Sequence, residues 1–178
     1  MNSLETDLQT PRLRMRRPRL NDFTASAAMW ADPEIVRHIS GSPSTAEASW
    51  SRMLRYVGHW EVFRFGYWIV EERATGAFAG EVGFAYYHRN ITPALDPPEL
   101  GWVIATAHQG KGYATEAVRA AIAWAQRHLT GIEDIACIIA PGNRASIRVA
   151  EKCGFRLLRQ TVYMNSPTLV YGRQLSDG

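Results

Sequence analysis

The chain has 178 residues, 46% of them apolar and 21% charged, the size and composition of one domain able to bury its own core. Lys and Arg number 20 against 17 Asp and Glu, a net charge of +3 that is too small to imply nucleic-acid binding without a concentrated patch. No apolar run approaches the roughly 20 residues of a membrane-spanning helix, and the opening MNSLETDLQT has neither the basic end nor the apolar stretch of a secretion signal, so a soluble cytoplasmic protein is expected.

Leu13 and Met15 alternate with Arg12, Arg14 and Arg16, which predicts a strand with one wet face carrying the arginines. Asn21 caps a short helix that reaches Trp30 and is interrupted at Asp32-Pro33. Ser44 and Glu47 form a capping box for a second helix ending near Gly58 or a few residues beyond, with Trp50, Met53, Leu54 and Val57 as its apolar face. Strands over 67–70 and 78–87 pair as a hairpin through Thr75-Gly76.

Beyond a proline-marked loop, residues 100–105 read as a strand and 114–129 as a helix stopped by Gly131. A covered strand over 135–140, a helix over 146–152 ended by Gly154, and strands over 155–163 and 169–175 complete the chain. The order β-α-α-β-β-β-α-β-α-β-β predicts an α/β (α+β) fold. Its mixed, mainly antiparallel sheet has about seven strands flanked by about four helices, in a single domain over 1–178. Cys137 and Cys153 form no CxxC pair and read as reduced core residues; no spacing argues for a metal.

The segment Gln109-Gly110-Lys111-Gly112-Tyr113-Ala114 lies between a strand and a helix. Two glycines let backbone N–H groups approach a ligand, and the helix N-terminus adds its dipole, so the loop is either a seat for a pyrophosphate or a plain turn. Neither a P-loop nor a GxGxxG fingerprint is present.

Gln109, Gly112 and Ala114 match the Q/R-x-x-G-x-G/A acyl-CoA motif, and on this loop the chain resembles the GNAT superfamily of N-acetyltransferases. Leu8-Gln9-Thr10-Pro11-Arg12-Leu13, Glu99-Leu100-Gly101-Trp102, Gly112-Tyr113-Ala114-Thr115-Glu116-Ala117 and the segment from Asn143 to Phe155 are similar to its RimJ/RimL-like branch. The resemblance implies acetyl-CoA as donor, pantetheine bonded to main chain at Trp102, Val103 and Ile104, and a pyrophosphate held by N–H groups from Gly110 through Lys111, Gly112, Tyr113 and Ala114 to Thr115. It also implies that the Asn143 side chain binds the pantetheine arm; capping a helix is an equally natural task for that residue, and the two are compatible.

Acetyl transfer needs a neutral amine. At pH 7 a lysine must give up about 4.6 kcal/mol of proton affinity and an α-amine only about 1 kcal/mol, so an α-amine tolerates a weak base. Glu99, at the entrance of the strand leading to the cofactor, is the candidate base, with Glu81 on the preceding strand as the alternative. The tyrosine many relatives carry seven residues after the Asn is replaced by Ala150; Ser146 is the candidate to assist the thiolate or hold the cofactor near the thioester, with capping a helix as the alternative role. The main-chain N–H near Ile104 is implied as the oxyanion donor, and His108 reads as an exposed loop residue. Trp60, Tyr67, Trp68 and Trp102 either line an acceptor cleft or belong to the core. The chain is therefore expected to be an acetyl-CoA-dependent N-acetyltransferase working by direct attack in a ternary complex, as monomer or homodimer, without metal or membrane. A protein N-terminal α-amine is the favoured acceptor; a small-molecule amine or a noncatalytic acyl-CoA sensor is the alternative.

Overall fold

The computed structural model describes residues 6–176. In chain order it contains β1 (Leu8–Gln9), β2 (Leu13–Arg16), α1 (Phe23–Trp30), α2 (Pro33–Val36), α3 (Ala46–Phe63), β3 (Tyr67–Glu72), β4 (Phe78–Ala85), β5 (Glu99–Ile104), α4 (Tyr113–His128), β6 (Asp134–Ile139), α5 (Arg144–Lys152), β7 (Arg156–Tyr163) and β8 (Ser166–Gln174). The eight strands form one sheet in the order β1-β2-β3-β4-β5-β6-β8-β7, antiparallel except for the parallel pair β5 and β6. This is the mixed, mainly antiparallel α+β sheet expected, with one more strand and one more helix. The additions, β1 and α2, are two and four residues long, too short for either periodicity to register.

One face of the sheet packs on α4: Trp68, Val82, Phe84, Leu100 and Ile104 meet Val118, Ala121, Ile122 and Trp124. The opposite face carries Met29 and Trp30 of α1, Ile35 and Val36 of α2, and Tyr56 of α3. Because side chains alternate along a strand, Leu100, Trp102 and Ile104 face α4, while Glu99, Gly101 and Val103 face α1–α3. No helix among the described residues is long and apolar enough to cross a membrane.

Several expectations are corrected by tertiary packing. Asp32-Pro33 starts α2 rather than merely ending α1: the Asp32 carboxylate caps Glu34 N–H and Pro33 takes the first helical position. The cap of α3 is Thr45, whose Oγ1 accepts from Ala48 N–H, and Ser44 instead accepts from Arg52. The buried stripe of α3 is Ser49, Met53, Tyr56, His59 and Trp60, so Leu54 and Val57 face outward. That rotates the expected face by about one residue, or 100°, because the Tyr56 hydroxyl and the Trp60 ring N–H find acceptors on the sheet at Glu81 and at the Tyr67 carbonyl. Arg16 is not on a wet face: it is buried, forked onto Asp22 at 2.8 and 2.6 Å, and also donates to Glu71.

Candidate active site

Strands β5 and β6 share a single parallel pair, Glu99 with Ala136, and diverge beyond it. Ala105 N–H donates to the Ala79 carbonyl of the β4 side, so by alternation the N–H and C=O of Ile104 and Trp102 point into the gap. Gln109 confirms that direction from the other side, its amide donating to the Ile104 carbonyl at 3.0 Å. An extended main-chain edge therefore stands open beside a cavity of about 570 Å³.

That cavity is walled by Trp102, Val103 and Ile104 of β5, by Gln109, Gly110 and Gly112 of the loop, by Tyr113, Ala114 and Thr115 of α4, and by Asn143 and Ser146 of α5. Gly110 and Gly112 adopt φ of 76° and 80°, the left-handed conformation that glycine takes without penalty. Gly112 is the N-cap of α4 and no side chain caps the helix, so its first-turn N–H groups are left for a ligand at the positive end of the dipole. Arg37, His38, His108, Arg148 and Lys152 also line the space against one acid, Glu34. The donor set, the open edge and the excess of cations suit a long anionic ligand with peptide-like amides.

Eleven of the residues singled out from the sequence therefore border one space, and two do not. Lys111 turns away, its ammonium 3.6 Å from Glu72. Glu99 lies on the opposite face of β5, buried, with both carboxylate oxygens accepting from Arg89 Nε at 2.7 and 2.8 Å. Burial raises the Glu99 carboxyl above its ordinary range and the Arg89 charge only partly offsets this. Arg89 also donates to the Tyr163 hydroxyl and stacks over the Tyr87 ring.

Glu81, opposite Val103 on β4, is fully buried and accepts from Ser26 Oγ at 2.5 Å, Trp30 Nε1 at 2.9 Å and Tyr56 OH at 3.0 Å. Between the two carboxylates lies Tyr67, stacked on Tyr56 with ring centroids 4.4 Å apart and accepting from Tyr87 OH. Its hydroxyl occupies the place of the missing Gly101 side chain, 2.0 Å from where a Cβ would stand, so Gly101 admits no other residue. Trp60 and Trp68 belong to the core, whereas Trp102 lines the cavity. His108 is mostly covered rather than exposed, beside Tyr113 and Glu72.

Asn143 caps α5, its Oδ1 accepting from Ser146 N–H at 3.1 Å, which leaves the amide nitrogen as a donor for the cavity. Asn143→Ala is expected to lower stability by about 1 kcal/mol through loss of the cap, read by urea melts. The basic wall is what sequence reasoning missed: Arg37, His38, Arg148 and Lys152 come from two separated segments, and only their shared cavity relates them.

Residues 12–156 match the Acetyltransferase (GNAT) domain family. A full-length relative, YkkB of Bacillus subtilis, is 31% identical over 176 residues, covering 96% of each chain. The fold is similar to that of a putative GnaT-family acetyltransferase from Bordetella pertussis, with a TM-score of 0.82 and 29% identity over 94% of this chain and 98% of that one. A ribosomal-protein-S5-alanine acetyltransferase from Vibrio fischeri (TM-score 0.75, 18% identity, 97% and 98% covered) and a spermidine N-acetyltransferase from Vibrio cholerae in complex with CoA and spermine (0.73, 19%, 94% and 98%) share the same fold. The chain belongs to the GNAT family and is an N-acetyltransferase.

Proposed function

We propose that the chain transfers the acetyl group of acetyl-CoA to an α-amine, the N-terminus of a protein being the favoured acceptor, by direct attack in a ternary complex. The observation that carries the donor side is the uncapped N-terminus of α4 opening into a basic-walled cavity beside a free strand edge. N–H groups from Gly110 to Thr115 hold the diphosphate, the main-chain groups of Trp102 and Ile104, on either side of Val103, receive the pantetheine amides, and the Asn143 amide nitrogen adds a donor. Lys111 contributes charge at longer range. The bound donor supplies a thioester carbonyl open to an amine.

Glu99 takes the ammonium proton as the amine approaches from the Tyr67 and Tyr87 face. Burial favours this role, since a carboxylate whose proton affinity is raised is a better base near neutral pH. Both of its oxygens meet the single Arg89 Nε, so each keeps a lone pair for the incoming proton. Glu81 is the weaker candidate because three donors already claim its oxygens. Ser146, at the cavity wall in the first turn of α5, assists the departing thiolate; with a thiol of pKa about 8.5, a weak donor suffices.

The acceptor face favours an α-amine over a polycation. Arg52 stacks over Trp30 at 3.8 Å, and Arg55 and Arg89 lie over Tyr87 at 5.5 and 4.2 Å, so three guanidinium groups border the two buried carboxylates. A polyamine would meet that like charge; a peptide N-terminus brings one neutralisable amine. The test is thiol release from acetyl-CoA with a peptide and polyamine panel, run on wild type and Glu99→Gln. Turnover with peptides, reduced by about 10²–10³ in the variant and losing its acidic limb, is expected. Faster turnover with spermidine would sink the acceptor assignment, and an unchanged pH profile would sink Glu99 as base.

A further inference from the structure

Two sequence features remain outside the site as described: Thr10-Pro11-Arg12 near the N-terminus and Glu116 in the first turn of α4. In the fold they form one lock. Glu116 Oε1 accepts from Thr10 Oγ1 at 2.6 Å and from Arg12 N–H at 2.9 Å, while Oε2 accepts from Arg12 Nε at 2.7 Å and lies 2.6 Å from Nη2. Burial opposes the charge of Glu116, yet the Thr10 hydroxyl and the Arg12 N–H and guanidinium together hold its carboxyl below the ordinary range, so it is a carboxylate at neutral pH.

The remaining arm of the guanidinium reaches the cofactor loop. Arg12 Nη1 donates to the Lys111 carbonyl at 2.7 Å, and the guanidinium lies 4.8 Å from the Tyr113 ring centroid. In a trans peptide the carbonyl and the following N–H point in opposite directions. Holding the Lys111 carbonyl toward Arg12 therefore turns the Gly112 N–H the other way, and Gly112 lines the cavity. The restraint matters because Gly110 and Gly112 flank this peptide: glycines allow peptide orientations that other residues exclude, and a loop that samples them must be ordered when the ligand arrives.

We propose that Arg12, seated by Thr10 and Glu116, is a positioning residue for the diphosphate loop: by fixing the Lys111–Gly112 peptide it aims the Gly112 N–H into the cavity before the ligand binds. The proposal rests on the assignment of that loop to the diphosphate. It makes the N-terminal segment part of the cofactor site without any contact to the cofactor, and it joins residues more than a hundred positions apart in sequence.

The test is calorimetric titration of the full chain with CoA and, separately, with S-acetylpantetheine, which lacks the diphosphate. Arg12→Ala is expected to weaken CoA about tenfold and S-acetylpantetheine less than twofold, the loss falling on the group the loop receives. Arg12→Lys keeps a charge but cannot span Glu116 and the Lys111 carbonyl together, so it shows an intermediate loss and serves if the Ala variant fails to fold. Equal weakening of both ligands, or CoA affinity unchanged in either folded variant, overturns the proposal. Gly112→Glu, titrated alongside, separates the two levels: if it too binds CoA normally the loop assignment has failed, and if it alone loses CoA only the role of Arg12 has.

Discussion

Gly112→Glu is expected to weaken CoA binding by more than about 100-fold, roughly 2.7 kcal/mol, in a protein that still folds. Two terms act in the same direction. The φ of 80° at this position is left-handed, so any L residue there is strained by about 1–2 kcal/mol and pulls the loop toward another conformation. The new carboxylate also stands at the N-terminus of α4, where it competes with the ligand's phosphates for the same N–H groups and repels them. The fold tolerates the change because Gly112 is exposed and a Cβ there has only Arg12 Nη2 nearby, at an ordinary 3.5 Å. Gly112→Ala isolates the strain from the charge. Calorimetry with CoA, checked by circular dichroism, reads the result; a folded Glu variant binding within threefold of wild type would remove the diphosphate from this loop.

The cavity beside β5 was legible because its lining is written in backbone chemistry. Glycines at 110 and 112, ahead of a helical period, specify both a loop conformation and exposed N–H groups, and the Leu100–Ala105 run marks the strand whose edge is left open. The buried polar network on the other face of the sheet was not, since it depends on which side chains meet. β4 is covered on both faces over most of its length, so Glu81 sits in a run without alternation, and nothing local separates a surface carboxylate from one enclosed by Ser26, Trp30 and Tyr56. Arg16 failed for a related reason: period two placed it on the same side as Arg12 and Arg14, yet Asp22 and Glu71 lie where its guanidinium arrives. Likewise Arg89 belongs to a loop with no period to read, and its pairing with Glu99 is purely tertiary.

Replacing Glu81 with Ala is expected to lower stability by about 3 kcal/mol or more, because Ser26, Trp30 and Tyr56 would each lose an acceptor in a place water does not reach. Glu81→Gln keeps the shape and one acceptor oxygen, so its comparison with wild type isolates the charge. Burial raises the Glu81 carboxyl above its ordinary 4.5, against the opposing effect of its three donors. The folded protein thus holds this proton more tightly than the unfolded chain does. The associated stability is fully present below about pH 4.5 and is lost as pH rises through the higher folded value. Relative to Glu81→Gln, wild type should therefore weaken with increasing pH above 4.5 and then level off once the folded carboxyl has ionised. Urea melts of both proteins from pH 4 to 9 measure the difference directly. A constant difference would mean that Glu81 ionises in the fold as easily as in the unfolded chain, its three donors balancing its burial.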